Sequence, residues 1–298
     1  MYQGDIEAWT FQEIAFKAEL NRHDDPESEQ EAWILCGEDP ATRTRNIEEL
    51  RNMIYQRGEC VPPRTDDAFL LRFLRARRSV PARAHRLLVR YCNFRDQNPQ
   101  LWRDVDWFSF TKIGDVIEGV LYDRPDVGRL LIVRLGKWDP DVCPVEDLLG
   151  ACLLLLEVGI MQPKLQVLGG TALLDCEGLT MKHMRQLSPA VALQAMNIVG
   201  YTFPTHQRGF HVINCSRVFE TLFYFFKRIA PGEDLWKIVN FHGYDIGSLH
   251  RHVDPECLPK RYGGKQDPVS LEKWLTKIRK YKNKDFDSDM RTLGYYAD

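Results

Sequence analysis

The sequence lacks the features that define several large classes of protein. The 298 residues have a formal net charge of -2, so the chain has no broad positive field that would hold nucleic acid. The longest apolar run, residues 151–161, contains Glu157 and is too short to cross a bilayer. The motifs GxSxG, HExxH, GxGxxG and GxxxxGKS/T do not occur. The sequence therefore lacks the usual signatures of hydrolases, metalloproteases and nucleotide-binding proteins.

Cysteine is present but is not spaced for disulfide exchange or metal binding. The eight cysteines include no CxxC pair, and several lie in apolar runs, which is typical of reduced core thiols in a cytosolic protein. The first residues, MYQGDIEAWTF, carry acidic groups where a signal peptide needs a basic segment and a hydrophobic block. We therefore expect a cytoplasmic protein.

The spacing of apolar residues changes after Trp102. Before it the spacing is helical, and after it strand-like runs alternate with helical ones, which implies parallel strands joined by helical crossovers. Helices are predicted at 42–57, 64–78, 82–97, 144–161, 188–201 and 216–229, and strands at 128–136, 169–178, 208–215 and 237–243.

These patterns predict an α/β fold in three parts. Residues 1–104 form an N-terminal helical domain, and residues 105–265 form an α/β domain with a mostly parallel sheet flanked by helices. Residues 266–298, rich in Lys and Asp towards the end, are predicted to be an exposed tail helix that frays.

The stretch VFETLFYFFKRI, residues 218–229, is unusually aromatic. As a helix it would be about 18 Å long, too short to cross a bilayer. One broad face is apolar, and Lys227 and Arg228 lie near one end of the stretch. Two interpretations fit this composition: a helix that covers the sheet, or a helix that closes a lipid pocket and can also lie on a membrane.

Several ordered blocks decide between these interpretations. DDAFLLRFLRARRSVPARAHRLLVRYCNFRDQNP, LLIVRLGKWDP, TALLDCEGL, LSPAVALQAMNIVGYTFPTHQRGFHVIN and LPKRYGG resemble, in order and spacing, the CRAL-TRIO lipid-transfer family, over residues 66–265. The similarity is greatest to members that carry tocopherol or retinaldehyde. It implies an α/β domain around an apolar ligand cavity, closed by a gate helix at 216–229.

The resemblance also implies which residues line the cavity, although ordinary core packing is the alternative for each of them. The implied ligand-binding residues are Leu156, Ile160, Leu174, Ala195, Ile198, Val199, Phe203, Phe210, Leu222, Phe223 and Phe226.

A basic patch for phosphoinositide head groups is implied in the same way. Arg77, His206 and Lys237 match its positions, with Arg208, Lys227 and Arg228 as neighbouring substitutes. For Arg77 the alternative is a cation that stabilises a helix C-terminus. If the patch is correct, binding should weaken with salt and, because of His206, with rising pH.

Two polar clusters could carry other chemistry. His250, His252, Asp254 and Cys257 could hold zinc, and Asp175 and Glu177 point to one side of a strand end. A polar connection and a structural strand end are the simpler interpretations, so we expect no enzyme activity, metal or cofactor.

The sequence thus predicts a carrier, expected to be monomeric, that moves a small hydrophobic ligand between membranes and contacts them transiently. A retinoid, a tocopherol or a carotenoid-like molecule is the expected cargo. The alternatives are transfer of phosphatidylinositol or other phospholipids, a signalling interaction module without cargo and, more distantly, a lipid-ester hydrolase.

Overall fold

The structure is a computed structural model that describes residues 16, 19–23, 28–217, 220–221 and 237–296. The N-terminal part is helical, as predicted. The first three of its helices begin or end at a recognisable signal: the Asp39 and Asp66 side chains accept hydrogen bonds from Ala41 N and Phe69 N, and Gly37 and Gly58 end helices with positive φ. The helices are α1 (Glu29–Cys36), α2 (Pro40–Arg57), α3 (Asp67–Arg75) and α4 (Pro81–Gln97).

A six-stranded sheet forms the centre of the second part. Its order is β5-β4-β3-β2-β1-β6, in which β2 to β5 run parallel and β1 is antiparallel to both β2 and β6. The strands are β1 (Ile117–Arg124), β2 (Gly128–Arg134), β3 (Gly170–Asp175), β4 (Gln207–Ile213), β5 (Val239–Gly243) and β6 (Val269–Ser270). The four predicted strands are confirmed, whereas β1 and β6 were missed.

Helices connect and cover these strands. They are α5 (Val145–Gly159), α6 (Pro163–Leu168), α7 (Met181–Gln186), α8 (Pro189–Met196) and α9 (Ile246–His250). The prediction of one regular helix over 188–201 is wrong in its second half, because α8 continues as a π-helix over Asn197–Thr202. That stretch has wider turns than an α-helix, so the residues facing the sheet change there.

The two faces of the sheet have different surroundings. Because side chains alternate along each strand, Leu130, Ile132 and Leu173 join a compact core with Leu249 and Tyr262 on one face. Leu131, Val133 and Ala172 point to the other face, which α5 covers. The candidate site lies on that second face.

The tail differs from the predicted exposed helix. It forms two helices, α10 (Leu271–Tyr281) and α11 (Lys284–Thr292). Trp274, Leu275, Ile278, Phe286 and Met290 are all buried. Their helical spacing gives both helices an apolar stripe that packs on the core.

The predicted gate helix at 216–229 falls almost wholly outside the described residues, which here include only Ser216, Arg217, Glu220 and Thr221. Leu222, Phe223, Phe226, Lys227 and Arg228 are therefore not located, and their roles stay predictions. Within the part of the chain that the structure describes, no helix combines the length and hydropathy needed to cross a membrane.

Candidate functional site

A mostly apolar cavity lies between the sheet and the helices that cover it. Its volume is about 140 Å³. The sheet supplies one wall, because alternate residues of four neighbouring strands point into the same space. These include Ile117, Gly119 and Leu121 from β1, Leu131 and Val133 from β2, Ala172 and Leu174 from β3, and Phe210 from β4.

Helices supply the opposite wall. Cys152, Leu155, Leu156 and Gly159 repeat at helical spacing along α5. Val199 comes from the π-helix, and Leu271 and Trp274 come from α10. The C-terminal tail is therefore part of the site.

Five of the predicted ligand-binding residues lie around this cavity. They are Leu156, Ile160, Leu174, Val199 and Phe210. They come from different elements between 156 and 210, so the fold brings together residues that the resemblance had selected one by one. Their contact with a ligand remains a prediction.

Three other predicted residues are placed differently. Ile198 is fully buried in the main core, and Phe203 packs its ring edge-on against Tyr91 with centroids 5.5 Å apart. Ala195 packs against the same core but is not among the described residues that line the cavity. The π-helix explains the difference, since 195, 198 and 199 share a face only on a regular α-helix.

The cavity has one polar end, built around Arg129. Its guanidinium donates to Asp123 from Nε (2.5 Å) and Nη2 (3.0 Å), and to Glu19 from Nη1 (3.0 Å) and Nη2 (2.8 Å). Trp274 Nε1 donates to the same Glu19 at 2.9 Å. Burial opposes ionisation of Asp123, yet the adjacent Arg129 holds the pKa of that carboxyl below its usual value.

Two side chains near this end can still bond a neutral polar group. Gln207 and Thr205 line the cavity, and their side chains make no hydrogen bond within the described residues. Thr171 differs, because its hydroxyl already donates to the Val127 carbonyl at 2.6 Å. The sequence resemblance did not single out Gln207, Thr205 or Arg129.

The structure brings three predicted basic residues together. Arg77, just after α3, and His206 and Arg208, around the start of β4, lie close enough to interact electrostatically, together with Arg78. Arg208 Nε donates to the Leu168 carbonyl at 2.8 Å, and Arg77 Nη1 donates to the Ala76 carbonyl at 2.8 Å. Neither bond neutralises the charge.

None of these arginines has a carboxylate partner within the described residues. Arg75, by contrast, donates to Glu38 at 2.5 Å and is neutralised by it. Burial, helped by nearby Arg90, lowers the pKa of Arg77 to about 10, as expected for a cation without a counter-charge. The guanidinium groups of this cluster could therefore bind an anion.

His206 contributes no charge to this cluster near neutral pH. Its Nε2 atom lies 3.3 Å from Sγ of Cys36. Burial, followed by the neighbouring Arg208, lowers its pKa to about 4. This lowered pKa does not support the expectation that His206 makes head-group binding weaken with rising pH, and the role of His206 stays a prediction. Lys237 is exposed near the start of β5, and its role stays a prediction.

The other polar clusters have structural contacts. His250 Nε2 lies 2.8 Å from the Tyr262 carbonyl oxygen, and Asp254 accepts from Arg124 Nη1 at 2.7 Å. Asp175 accepts from the Tyr262 hydroxyl (2.7 Å), Asn214 Nδ2 (2.8 Å) and Glu177 N (3.0 Å). Among the described residues, no three His, Cys, Asp or Glu side chains converge as metal ligands.

The geometry defines an α/β protein with an internal apolar site. The family model for the CRAL/TRIO domain matches residues 119–264, which contain most of that site, and the chain belongs to the CRAL/TRIO family of lipid-binding and transfer proteins.

Curated relatives extend the match beyond that domain. Clavesin-2 of Homo sapiens is 31% identical over 277 residues, which is 91% of this chain and 83% of the relative. Clavesin-1 of Xenopus laevis is 31% identical over 253 residues, 84% of this chain and 76% of the relative. The crystal structure of Sfh5 is a more distant likeness, with a TM-score of 0.47 and 13% identity over 76% of this chain and 88% of that one.

Proposed function

We propose that this protein binds one small hydrophobic molecule in the cavity and transfers it between membranes. The observation that carries the proposal is the apolar cavity of about 140 Å³, lined from four strands, α5 and α10. Burial of each CH₂ group stabilises a ligand by about 0.8 kcal/mol. A ligand with many apolar carbons would therefore leave such a site slowly through water.

The cargo is proposed to be uncharged, as a retinoid alcohol or aldehyde, a tocopherol or a carotenoid-like molecule would be. A phosphate in the cavity would need a free cation, and Arg129 is already bonded to Asp123 and Glu19. A single hydroxyl or carbonyl group could instead bond to Gln207 or Thr205. These contacts favour a neutral terpenoid over a phospholipid.

Membrane contact is the second part of the proposal. Arg77 and Arg208, without carboxylate partners among the described residues, are proposed to hold the phosphate groups of a phosphoinositide, with His206 positioned beside them. Lys237, Lys227 and Arg228 are proposed to extend this surface. The gate helix at 216–229 is proposed, from its sequence, to open where the protein meets the bilayer. The protein would act as a peripheral, monomeric cytoplasmic carrier without catalytic activity.

Gly119 offers a direct test of the cavity. It lies on the cavity wall, and a Cβ atom built on it meets no atom within 4 Å. Gly119→Phe should therefore fill the cavity without displacing backbone, and Gly119→Ala is the matched control. Protein purified from cells would be extracted with organic solvent and the extract analysed by mass spectrometry.

We expect a neutral isoprenoid-type molecule from the wild-type protein and from Gly119→Ala. Gly119→Phe should yield at least about tenfold less, because the ring occupies the space of the ligand and fitting both into the cavity costs about 1–3 kcal/mol. Recovery of phospholipid alone would favour the phospholipid-transfer alternative. Equal recovery from all three proteins would show that the cavity is not the binding site.

A further inference from the structure

Helix α1 carries two large apolar side chains that are more than half exposed. Trp33 is 56% exposed and Ile34 is 59% exposed. The opposite side of the helix is anchored, because Ala32 and Cys36 are buried against Val167 and Leu168 at the end of α6. The exposure of Trp33 and Ile34 is therefore built into a helix that is fixed to the body of the protein.

A basic turn lies against the C-terminal end of α1. Nη1 of Arg78 is 3.4 Å from the Leu35 carbonyl oxygen, and the Ser79 hydroxyl donates to the Cys36 carbonyl at 3.2 Å. A side chain at Gly37 would meet the Arg78 carbonyl oxygen at 3.2 Å. Arg78 and Ser79 both adopt positive φ, 54° and 56°, a backbone conformation that non-glycine residues rarely adopt.

The turn is held firmly in this conformation. Ser79 N donates to the Leu74 carbonyl at 2.8 Å, and Asn46 Nδ2 donates to the Ser79 carbonyl at 3.3 Å. Arg78 is exposed and has no carboxylate partner among the described residues. Val80, directly after the turn, is 38% exposed. The result is an aromatic and aliphatic surface with a cation fixed beside it.

We infer that Trp33, Ile34, Arg78 and Val80, here called the α1 surface, dock on the interface of an anionic membrane. Tryptophan and aliphatic side chains next to arginine are the composition that membrane interfaces bind. An anionic membrane is favoured over a neutral one, because Arg78, which has no carboxylate partner among the described residues, and the neighbouring Arg77 and Arg208 attract anionic lipid. Glu29 and Gln30 lie one turn earlier on the same sides of α1, so its C-terminal end faces the lipid.

The α1 surface lies in the N-terminal helical part and differs from both the cavity and the gate segment. The inference rests on the proposed function only in that the protein meets membranes, and it is independent of the cargo. It assigns a further apolar membrane contact to residues far in sequence from 216–229.

The test compares two pairs of exposed apolar residues. Trp33→Gln/Ile34→Gln removes the α1 surface. Tyr244→Gln/Ile246→Gln is the matched control, because Tyr244 (75% exposed) and Ile246 (41% exposed) are also an aromatic and an isoleucine. They flank Asp245, whose carboxylate lies 3.8 Å from the nearby Arg251 and offsets its charge. Binding would be measured by cosedimentation with vesicles of phosphatidylcholine mixed with phosphatidylserine.

We expect Trp33→Gln/Ile34→Gln to bind these vesicles about tenfold more weakly or worse, given the apolar area lost, while the control pair binds like the wild type. Arg78→Gln should weaken binding to the mixed vesicles and leave binding to pure phosphatidylcholine unchanged. Vesicles with brominated acyl chains should quench tryptophan fluorescence in the wild type and much less in Trp33→Phe.

Equal vesicle binding by both double variants and the wild type would overturn the inference, as would quenching in Trp33→Phe that is as strong as in the wild type. A wild-type protein that does not bind anionic vesicles would overturn it too. Cargo extraction with the Gly119 variants is a separate measurement, so failure of the carrier function and failure of the α1 surface can be told apart.

Discussion

The Nε2 atom of His206 lies 3.3 Å from Sγ of Cys36 and joins the segment before β4 to the end of α1. Burial raises the pKa of the Cys36 thiol to about 12 and lowers that of His206 to about 4. Both groups are therefore neutral at physiological pH. The contact is a hydrogen bond between uncharged partners, not an ion pair.

This contact predicts how head-group binding depends on solution conditions. Because arginines carry the charge, binding to anionic vesicles should fall as salt rises and stay constant between about pH 6 and 8. Vesicle cosedimentation over a grid of pH and salt would measure both. His206→Gln, the control, should bind as the wild type does. A loss of binding with a midpoint near pH 6.5 that disappears in His206→Gln would contradict the prediction.

The parts of the fold that were predicted have strong local patterns. β2, β3 and β4 are apolar runs bounded by turns, and α5 is a long apolar run preceded by Pro144. β1 was missed because IEGVLYDR mixes a glycine with Glu118, Asp123 and Arg124, which interrupt the apolar run that marks the other strands. Its strand conformation comes from pairing with β2, and this pairing is not visible in the residues of β1 alone.

The candidate site was predicted in part for a similar reason. Leu156, Leu174 and Phe210 lie on regular elements, so their family positions carry over directly. Ala195, Ile198 and Phe203 lie in or beside a π-helix, whose extra residue per turn is not visible in apolar spacing. Arg129 and Glu19 are 110 residues apart, and only tertiary packing brings them together.

A buried ion pair between α4 and α5 should be a strong contributor to stability. Glu157, fully buried, accepts from Arg95 Nη1 at 2.6 Å and from the Tyr91 hydroxyl at 2.7 Å. Glu157→Ala leaves the buried guanidinium of Arg95 without its partner and should lower the free energy of unfolding by about 3–5 kcal/mol. Urea denaturation would measure this.

The control for Glu157 is an exposed pair. Lys182 Nζ lies 2.8 Å from Asp139 on the surface, and Lys182→Ala should leave the free energy of unfolding almost unchanged, because solvent screens an exposed pair. If both variants lost a similar amount of unfolding free energy, the buried Glu157 pair would contribute no more to stability than the exposed pair does.

Acid sensitivity should come from a histidine pair on β4 and β5. His211 Nδ1 lies 2.9 Å from His242 Nε2, and His242 Nδ1 lies 2.8 Å from the Ser248 hydroxyl. Burial, helped by the nearby His252, lowers the pKa of each of the two histidines to about 4. For His242, Arg251 also lowers the pKa, whereas Asp245 raises it. The unfolded chain therefore binds more protons than the folded one between about pH 4 and 6.5.

The sign of the effect follows from this difference. The stability from the neutral pair is fully present above about pH 6.5 and is lost as pH falls towards 4, by up to roughly 1.4 kcal/mol per pH unit for each histidine. Denaturation at pH 7, 6 and 5 would measure the slope. His242→Asn should flatten it, and an unchanged slope would mean that other groups cause the acid sensitivity.

The aromatic segment at 216–229 gives a prediction that depends on sequence alone. If it is the gate, Phe223→Asp should place a charge on the face that meets acyl chains, and that charge is costly to bury in lipid. Transfer of cargo between vesicles should then slow by at least about tenfold, while the amount of cargo that co-purifies stays the same. Phe223→Leu, which keeps an apolar side chain, should transfer at close to the wild-type rate. Binding and transfer are measured separately, so a loss of co-purified cargo in Phe223→Asp would assign the residue to the pocket wall. Unchanged transfer would show that residues 216–229 are not the gate.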